Sequence, residues 1–261
     1  MRKERNFRVE AVVLRHMDFG EADRLLVLYT RERGKMRSIA KGVRRMKSRK
    51  AGHLEPFTRV TLQLAQGRDL SIVTQAETVA AYTTLRTELD LMAQATYVVE
   101  LLDRFTLEED GADPALYRLV TGTLDLIDLR ENIWLVLRYF EMRLLDSLGF
   151  RPRLFHCANC EKEIIPEDQY FSAASGGVLC PACGRGLPGC WDVPEEVLKY
   201  MRHFQRSSLV EAKKARPSPA VQIEMESLMQ RYLTYLLERR LNAPDFIKIV
   251  KPGQAVPLRG D

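Results

Sequence analysis

Long apolar runs are missing from this sequence. No window approaches the ~18 uncharged apolar residues that a bilayer-spanning helix needs, so no membrane segment is expected. The opening Met-Arg-Lys-Glu-Arg-Asn-Phe-Arg has no apolar core of the secretion type, and a cytoplasmic protein is expected. Histidine is scarce. His16, His53, His156 and His203 are scattered, and none sits in a His-Glu-x-x-His pair or beside an evident nucleophile. Each is read as a surface or hydrogen-bonded side chain. There is no Gly-x-x-x-x-Gly-Lys-Ser/Thr loop to cradle a nucleoside triphosphate, and the N-terminal third has no carboxylate cluster for magnesium. These absences argue against an enzyme and for a binding module.

What is present is positive charge, unevenly placed. Residues 1–80 hold 18 Lys and Arg against 9 Asp and Glu, whereas residues 81–261 hold 22 against 26. Half of the 20 positions from Arg31 to Lys50 are basic, and only Glu32 opposes them. Like charges this dense repel, so the field implies a polyanionic partner such as a phosphate backbone. A solvated, solubilising surface is the plainer alternative. Within the run, Lys35, Arg37, Ile39 and Lys41 alternate with Met36, Ser38 and Ala40. In a strand, alternate residues share a face, which would put Lys35, Arg37 and Lys41 outward and Met36 and Ala40 inward. After Gly42 the alternation fails, and Arg44, Arg45, Lys47, Arg49 and Lys50 read as a mobile basic loop.

Five short strands are predicted in the first 80 residues: Phe7 to Leu14, Asp23 to Thr30, residues 35–41, Leu54 to Leu64 and Leu70 to Glu77. Turn signals at Asp18-Phe19-Gly20-Glu21, Arg33-Gly34 and Gln66-Gly67-Arg68-Asp69 mark three of the four junctions between them. Five strands in so short a span, with a basic face, suggest an oligonucleotide-binding (OB) barrel. Tyr29 and Phe57 could stack on bases, although barrel core is the simpler role for both.

Residues 78–150 turn helical. Leu85, Leu89, Met92, Thr96, Val99 and Asp103 recur at spacings of three and four and predict one helix to Phe105. An acidic loop containing Glu108-Glu109-Asp110-Gly111 follows, then helices over Pro114–Leu129 and Asn132–Leu148, stopped by Gly149. The last is apolar on more than one face, as a central core helix would be; a partner groove is the alternative. Beyond the cysteines, Asp192-Val-Pro-Glu-Glu reads as a cap, with Asp192 at the N-cap and Glu195 and Glu196 in the first turn. Capping explains that carboxylate pair better than an acid/base dyad. A further helix is expected from Ser218 to Leu241, then a short extended piece at Phe246–Val250.

Four of the five cysteines form two Cys-x-x-Cys units, Cys157/Cys160 and Cys180/Cys183, 19 residues apart. Two thiolates two residues apart grip one ion from a tight turn, and two such knuckles complete a tetrahedron with no open position. One structural zinc ion is expected. Disulfides do not fit a cytoplasmic chain, an iron–sulfur cluster is an alternative on ligand count, and Cys190 or His156 could replace one ligand. Tyr170, Phe171 and Val178-Leu179 suggest a small hairpin with Gly176-Gly177 at its tip; Cys190 is read as a buried free thiol. The expectation is an α+β multidomain chain: an OB barrel over 1–80, a helical domain from 81–150 and 192–250, an inserted four-cysteine module over 151–191, and a disordered tail over 251–261.

Particular runs carry a family resemblance: Ala11-Val-Val-Leu14, Asp23-Arg-Leu-Leu-Val-Leu-Tyr-Thr30, Gly34-Lys35, Ala40-Lys-Gly-Val-Arg-Arg45, Leu54-Glu-Pro-Phe57, and Leu-Gly-Phe-Arg-Pro at 148–152. With the order of barrel, helices and cysteine insertion, the chain resembles the bacterial recombination-mediator family RecO over all but its tail. The resemblance implies a protein of the cytoplasm and nucleoid that binds single- and double-stranded DNA and anneals complementary strands. It also implies help in loading RecA onto strands coated by single-strand-binding protein, together with RecR and, in some pathways, RecF. It matches Lys35, Arg37, Lys41, Arg44, Arg45, Lys47, Arg49 and Lys50 to the family's DNA-binding face. It places the acidic tail of single-strand-binding protein on the helical domain. Contact with about six phosphates would give a salt slope near −4 for single strands. An RNA-binding or ribosome-associated zinc protein is the rival reading; a scaffold whose basic face docks an acidic protein is another.

Overall fold

The computed structural model describes residues 6–237. The expected extended piece at 246–250, the tail at 251–261 and the end of the last helix lie outside them. The chain divides into two compact units between Glu131 and Asn132. The break therefore keeps the first helices with the barrel, instead of gathering all helices into one domain.

The first unit begins with β1 (Asn6–Phe19), β2 (Asp23–Thr30), β3 (Gly34–Ala40), β4 (Arg59–Ala65) and β5 (Ser71–Ala80). They close into a barrel in the order β1-β2-β3-β5-β4, with β4 returning to β1. Only the β3–β5 pairing is parallel. This is the five-stranded OB architecture anticipated from the strand count. Alternation builds it: Phe7, Val9, Ala11 and Val13 of β1, Leu26 and Leu28 of β2, and Val60, Leu62 and Leu64 of β4 all face the interior. Each fully buried leucine there contributes about 2 kcal/mol. The first strand is longer than predicted, because a bulge between Val13 and Arg15 resets the alternation and lets β1 run on to Phe19.

Residues 41–50 are turns tied to the barrel, not the mobile loop expected. Val43 is buried in the core cluster, the Gly42 amide donates to Asp23 Oδ1 at 2.7 Å, and Arg44 N–H donates to the Ala22 carbonyl at 2.9 Å. Lys50 Nζ donates to the carbonyls of Lys41 (3.1 Å) and Val73 (3.0 Å).

After β5 come α1 (Thr83–Thr87), α2 (Leu89–Phe105) and α3 (Pro114–Asp128). The single helix predicted to Phe105 is broken at Glu88, whose backbone is extended. Asp113 caps α3 by accepting from the amides of Ala115 and Leu116, both at 2.9 Å, with Pro114 in the first turn. Glu10 joins the barrel to α3: it takes Arg59 at 2.5 Å and the Tyr117 hydroxyl at 3.3 Å.

The second unit contains α4 (Ile133–Ser147), β6 (Gln169–Ser172), β7 (Gly177–Leu179), α5 (Pro181–Gly184), β8 (Cys190–Val193), α6 (Glu195–Arg206), α7 (Leu209–Ala212) and α8 (Pro219–Leu236). The central helix expected at 132–148 is α4, which packs against α6, α7 and α8. It also buries an ion pair, Arg138 to Glu141 at 2.6 Å. The hairpin β6–β7 was foreseen; the third strand of that sheet, β8, was not. Asp192 lies in β8 and does not cap α6. The Glu195 amide instead donates to Asp168 Oδ1 at 2.9 Å, across 27 residues of sequence. Among the described residues no helix is long and apolar enough to cross a membrane.

Candidate nucleic-acid interface and metal centre

The eight basic residues singled out by sequence divide into two groups. Lys35 is held inside the first unit. Its Nζ sits 2.7 Å from Asp103 Oδ1 and donates to the carbonyls of Asp103 (2.5 Å) and Thr106 (3.0 Å). Arg15 Nε binds the other oxygen of Asp103 at 2.9 Å. Burial would raise the Asp103 pKa, but the hydrogen bonds and charges of Lys35 and Arg15 hold it below its ordinary 3.8. Arg37 pairs with Glu108 at 2.5 Å and Arg44 with Asp18 at 3.3 Å. Lys50, bound to two carbonyls, has its pKa lowered by burial, against the pull of Asp23.

The second group is Lys41, Arg45, Lys47 and Arg49. All four side chains are exposed, and among the described residues none pairs with a carboxylate. They sit on the ordered turn that follows β3, so the open positive charge has moved from the strand face to the turn beyond it. Charges fixed by backbone hydrogen bonds lose less freedom on meeting a phosphate than charges on a floppy loop would.

The aromatic candidates do not reach this surface. Tyr29 and Phe57 are buried. Burial, followed by the charges of Asp113 and Asp110, pushes the Tyr29 hydroxyl pKa up. Among the described residues of the first unit, the exposed ring is Phe19, at 54%. It was missed because Asp18-Phe19-Gly20 looks like turn punctuation.

In the second unit the four predicted cysteines converge. The sulfurs of Cys157, Cys160, Cys180 and Cys183 all lie within 4.8 Å of one another, and Cys160 Sγ is 3.8 Å from Cys180 Sγ. A tetrahedral ion with metal–sulfur bonds of ~2.3 Å places its sulfurs ~3.8 Å apart. The two knuckles repeat one geometry: Glu161 N–H donates to the Cys157 carbonyl, and Gly184 N–H to that of Cys180, both at 2.9 Å. The Cys180 amide and Asn159 Nδ2 each donate to a cysteine sulfur at 3.4 Å. Burial opposes ionisation of Cys157, but backbone donors from Cys160, Cys180 and Asn159 bring its pKa down to about 6; burial and neighbouring thiols push Cys180 up to about 11. Four thiols this close cannot all ionise without a cation among them. The cluster can hold a metal ion.

Cys190 is only half-buried, opposite Ser172 in the sheet, and stands outside the cluster with His156. Of the carboxylates at the start of α6, Glu195 pairs with Lys199 at 2.6 Å, as a helix-turn residue does.

Two family models cover nearly the whole chain. The model described as Recombination protein O N terminal matches residues 1–82, and Recombination protein O C terminal matches residues 86–245. The chain belongs to the RecO family. Similar relatives include the DNA repair protein RecO of Roseiflexus sp. (strain RS-1), 38% identical over 95% of this chain and 87% of that protein. Those of Dehalococcoides mccartyi (33%, over 93% and 95%) and Symbiobacterium thermophilum (34%, over 95% and 99%) are similar end to end. The boundary between the RecO models falls at residues 82–86, where β5 gives way to α1, whereas the compact units part at 131.

Proposed function

We propose that this chain is a DNA-binding recombination mediator, acting in the cytoplasm without turning over a substrate. It binds single- and double-stranded DNA, anneals complementary strands, and works with RecR and RecF to help RecA onto strands coated by single-strand-binding protein, whose tail docks on the helices. The observation that carries this reading is the turn of four unpaired cations on an OB barrel in a RecO family chain. Two phosphate backbones repel, and a fixed cationic edge that neutralises both lowers the barrier to pairing them. Lys35 serves the fold in this scheme, and Arg37, Arg44 and Lys50 are held by partners within the chain.

The metal is one zinc ion with a structural role. Four thiols whose sulfurs all lie within 4.8 Å of one another suit zinc, and bound there it would cross-link the knuckles and supply no reactive site.

The test is a strand-annealing assay with protein-coated single strands, with and without partner proteins. Replacing Lys41, Arg45, Lys47 and Arg49 together by Ala should abolish annealing at ordinary ionic strength. If annealing survives, the basic turn is not the DNA site. Affinities for single-stranded DNA, duplex and structured RNA at one salt concentration decide between DNA and RNA.

A further inference from the structure

The barrel's outer face can be read from the strand register. Met17 lies opposite Leu25, Leu25 opposite Ile39, and Ile39 opposite Ile72. Directly opposed residues project to one side of a sheet, so these side chains make an apolar row across β1, β2, β3 and β5. The interior row runs one residue over, through Leu26 and Ser38, both fully buried. Phe19 stands on the same outer side, two residues past Met17 on β1. Phe19 and Met17 are 54% and 46% exposed, and Leu25 and Ile39 are half-buried.

Charge borders this row. Arg15 and Arg37 flank Val27 in the next register on one side, and Lys41 leaves the end of β3 on the other. The basic turn is fastened to the end of the β1–β2 hairpin that bears Phe19: Arg44 binds Asp18 through its guanidinium and Ala22 through its amide. Exposed apolar side chains and free cations are therefore held together on one rigid edge.

A duplex offers that edge phosphates but keeps its base faces stacked away. A single strand offers phosphates and open base faces together, which matches cations beside an apolar row. We propose that Phe19 and Met17 hold unstacked bases of a single strand whose phosphates lie along the basic turn. The proposal rests on the nucleic-acid reading above and adds to it a contact that salt does not screen.

The test uses the full chain at one fixed salt concentration, with a short oligothymidylate, an abasic strand of equal length, and a duplex. The unaltered protein should bind oligothymidylate about tenfold more tightly than the abasic strand. The pair Phe19→Ala and Met17→Ala should erase that preference, leaving abasic affinity, duplex affinity and salt slope as they were. Both side chains are half open to solvent, and an unchanged melting midpoint verifies the fold. Phe19→Trp should keep the preference, with its added emission quenched by oligothymidylate and not by the abasic strand. Equal binding of both strands by the unaltered protein overturns the base contact and leaves the electrostatic reading standing, as does a double variant that keeps the preference. A double variant that binds every strand normally but fails to assemble with a second repair protein assigns the row to protein docking and also overturns the proposal. No strand binding even at low salt overturns both readings.

Discussion

At Gly34 the hairpin between β2 and β3 passes so near the acidic loop that a Cβ there would lie 1.8 Å from the carbonyl oxygen of Gly111. Its φ of +68° adds a left-handed backbone that other residues resist. Gly34→Ala should therefore cost ~3 kcal/mol or more, read as a lower urea midpoint. A midpoint within error of the parent would show that the loop yields freely. A few positions away, Asp103 makes a prediction about acid. Its pKa is depressed in the folded state by Lys35 and Arg15. The stability it contributes is complete above the ordinary carboxyl value and drains away as pH falls through the lower folded value. Asp103→Asn should cost ~2 kcal/mol at neutral pH and soften the loss of stability below about pH 4. An acid limb identical to the parent's would mean that the carboxylate is not what Lys35 serves. Nothing near Lys35 in sequence announces this role. The alternation at 35–41 correctly gave its face of the strand, but the carboxylate that claims it is 68 residues away.

The four-cysteine module shows the same division at the level of elements. The knuckles were legible because the ligands of each lie two residues apart, and a turn of that length can face only one ion. The hairpin between them was legible from its aromatic and aliphatic pairs. β8 was not, because Asp192-Val-Pro-Glu-Glu carries the local marks of a helix start, whereas the oxygen that meets the α6 amide belongs to Asp168. A local signature gives way when a distant partner fills the same need. Trp191 of β8 stacks on Phe171 of β6, centroids 6.1 Å apart, and Tyr232 of α8 meets Phe171 edge-on at 5.0 Å. Phe171 lies on the strand between the two knuckles, so the order of these rings is the readout for the site. Removing the metal with a strong chelator, or replacing Cys157 by Ser, should collapse the near-ultraviolet circular dichroism of this cluster. Elemental analysis should find one zinc ion per chain before treatment and none in the Cys157→Ser protein. Metal-free protein from both sources with the aromatic signal intact would remove the site.

For the whole molecule, the question is where the barrel unit ends. Composition and family boundaries both put a border near residue 80, where strands stop and helices begin, yet the barrel is not covered at that point. Val12, Leu14, Val27 and Tyr29 are buried without belonging to the interior cluster, and β1 meets α2 on that side. Uncovering four such side chains would forfeit roughly 8 kcal/mol, as much as many small domains have in total. The same cut would strip Lys35 and Arg15 of Asp103, and Glu10 of the Tyr117 hydroxyl. A fragment of residues 1–131 should therefore melt cooperatively, whereas one of residues 1–80 should show no cooperative transition by circular dichroism. The longer fragment should also keep the electrostatics of the full chain. If only the four unpaired cations each meet a phosphate, log affinity should fall with log salt at a slope of about −3 for single strands, shallower than six contacts would give. A slope near −4 or steeper would mean that Arg37, Arg44 or Lys50 leaves its present partner to bind phosphate. A sharp melt from the shorter fragment would show that the barrel stands without α2 and α3, and that the border near 80 is a true folding boundary.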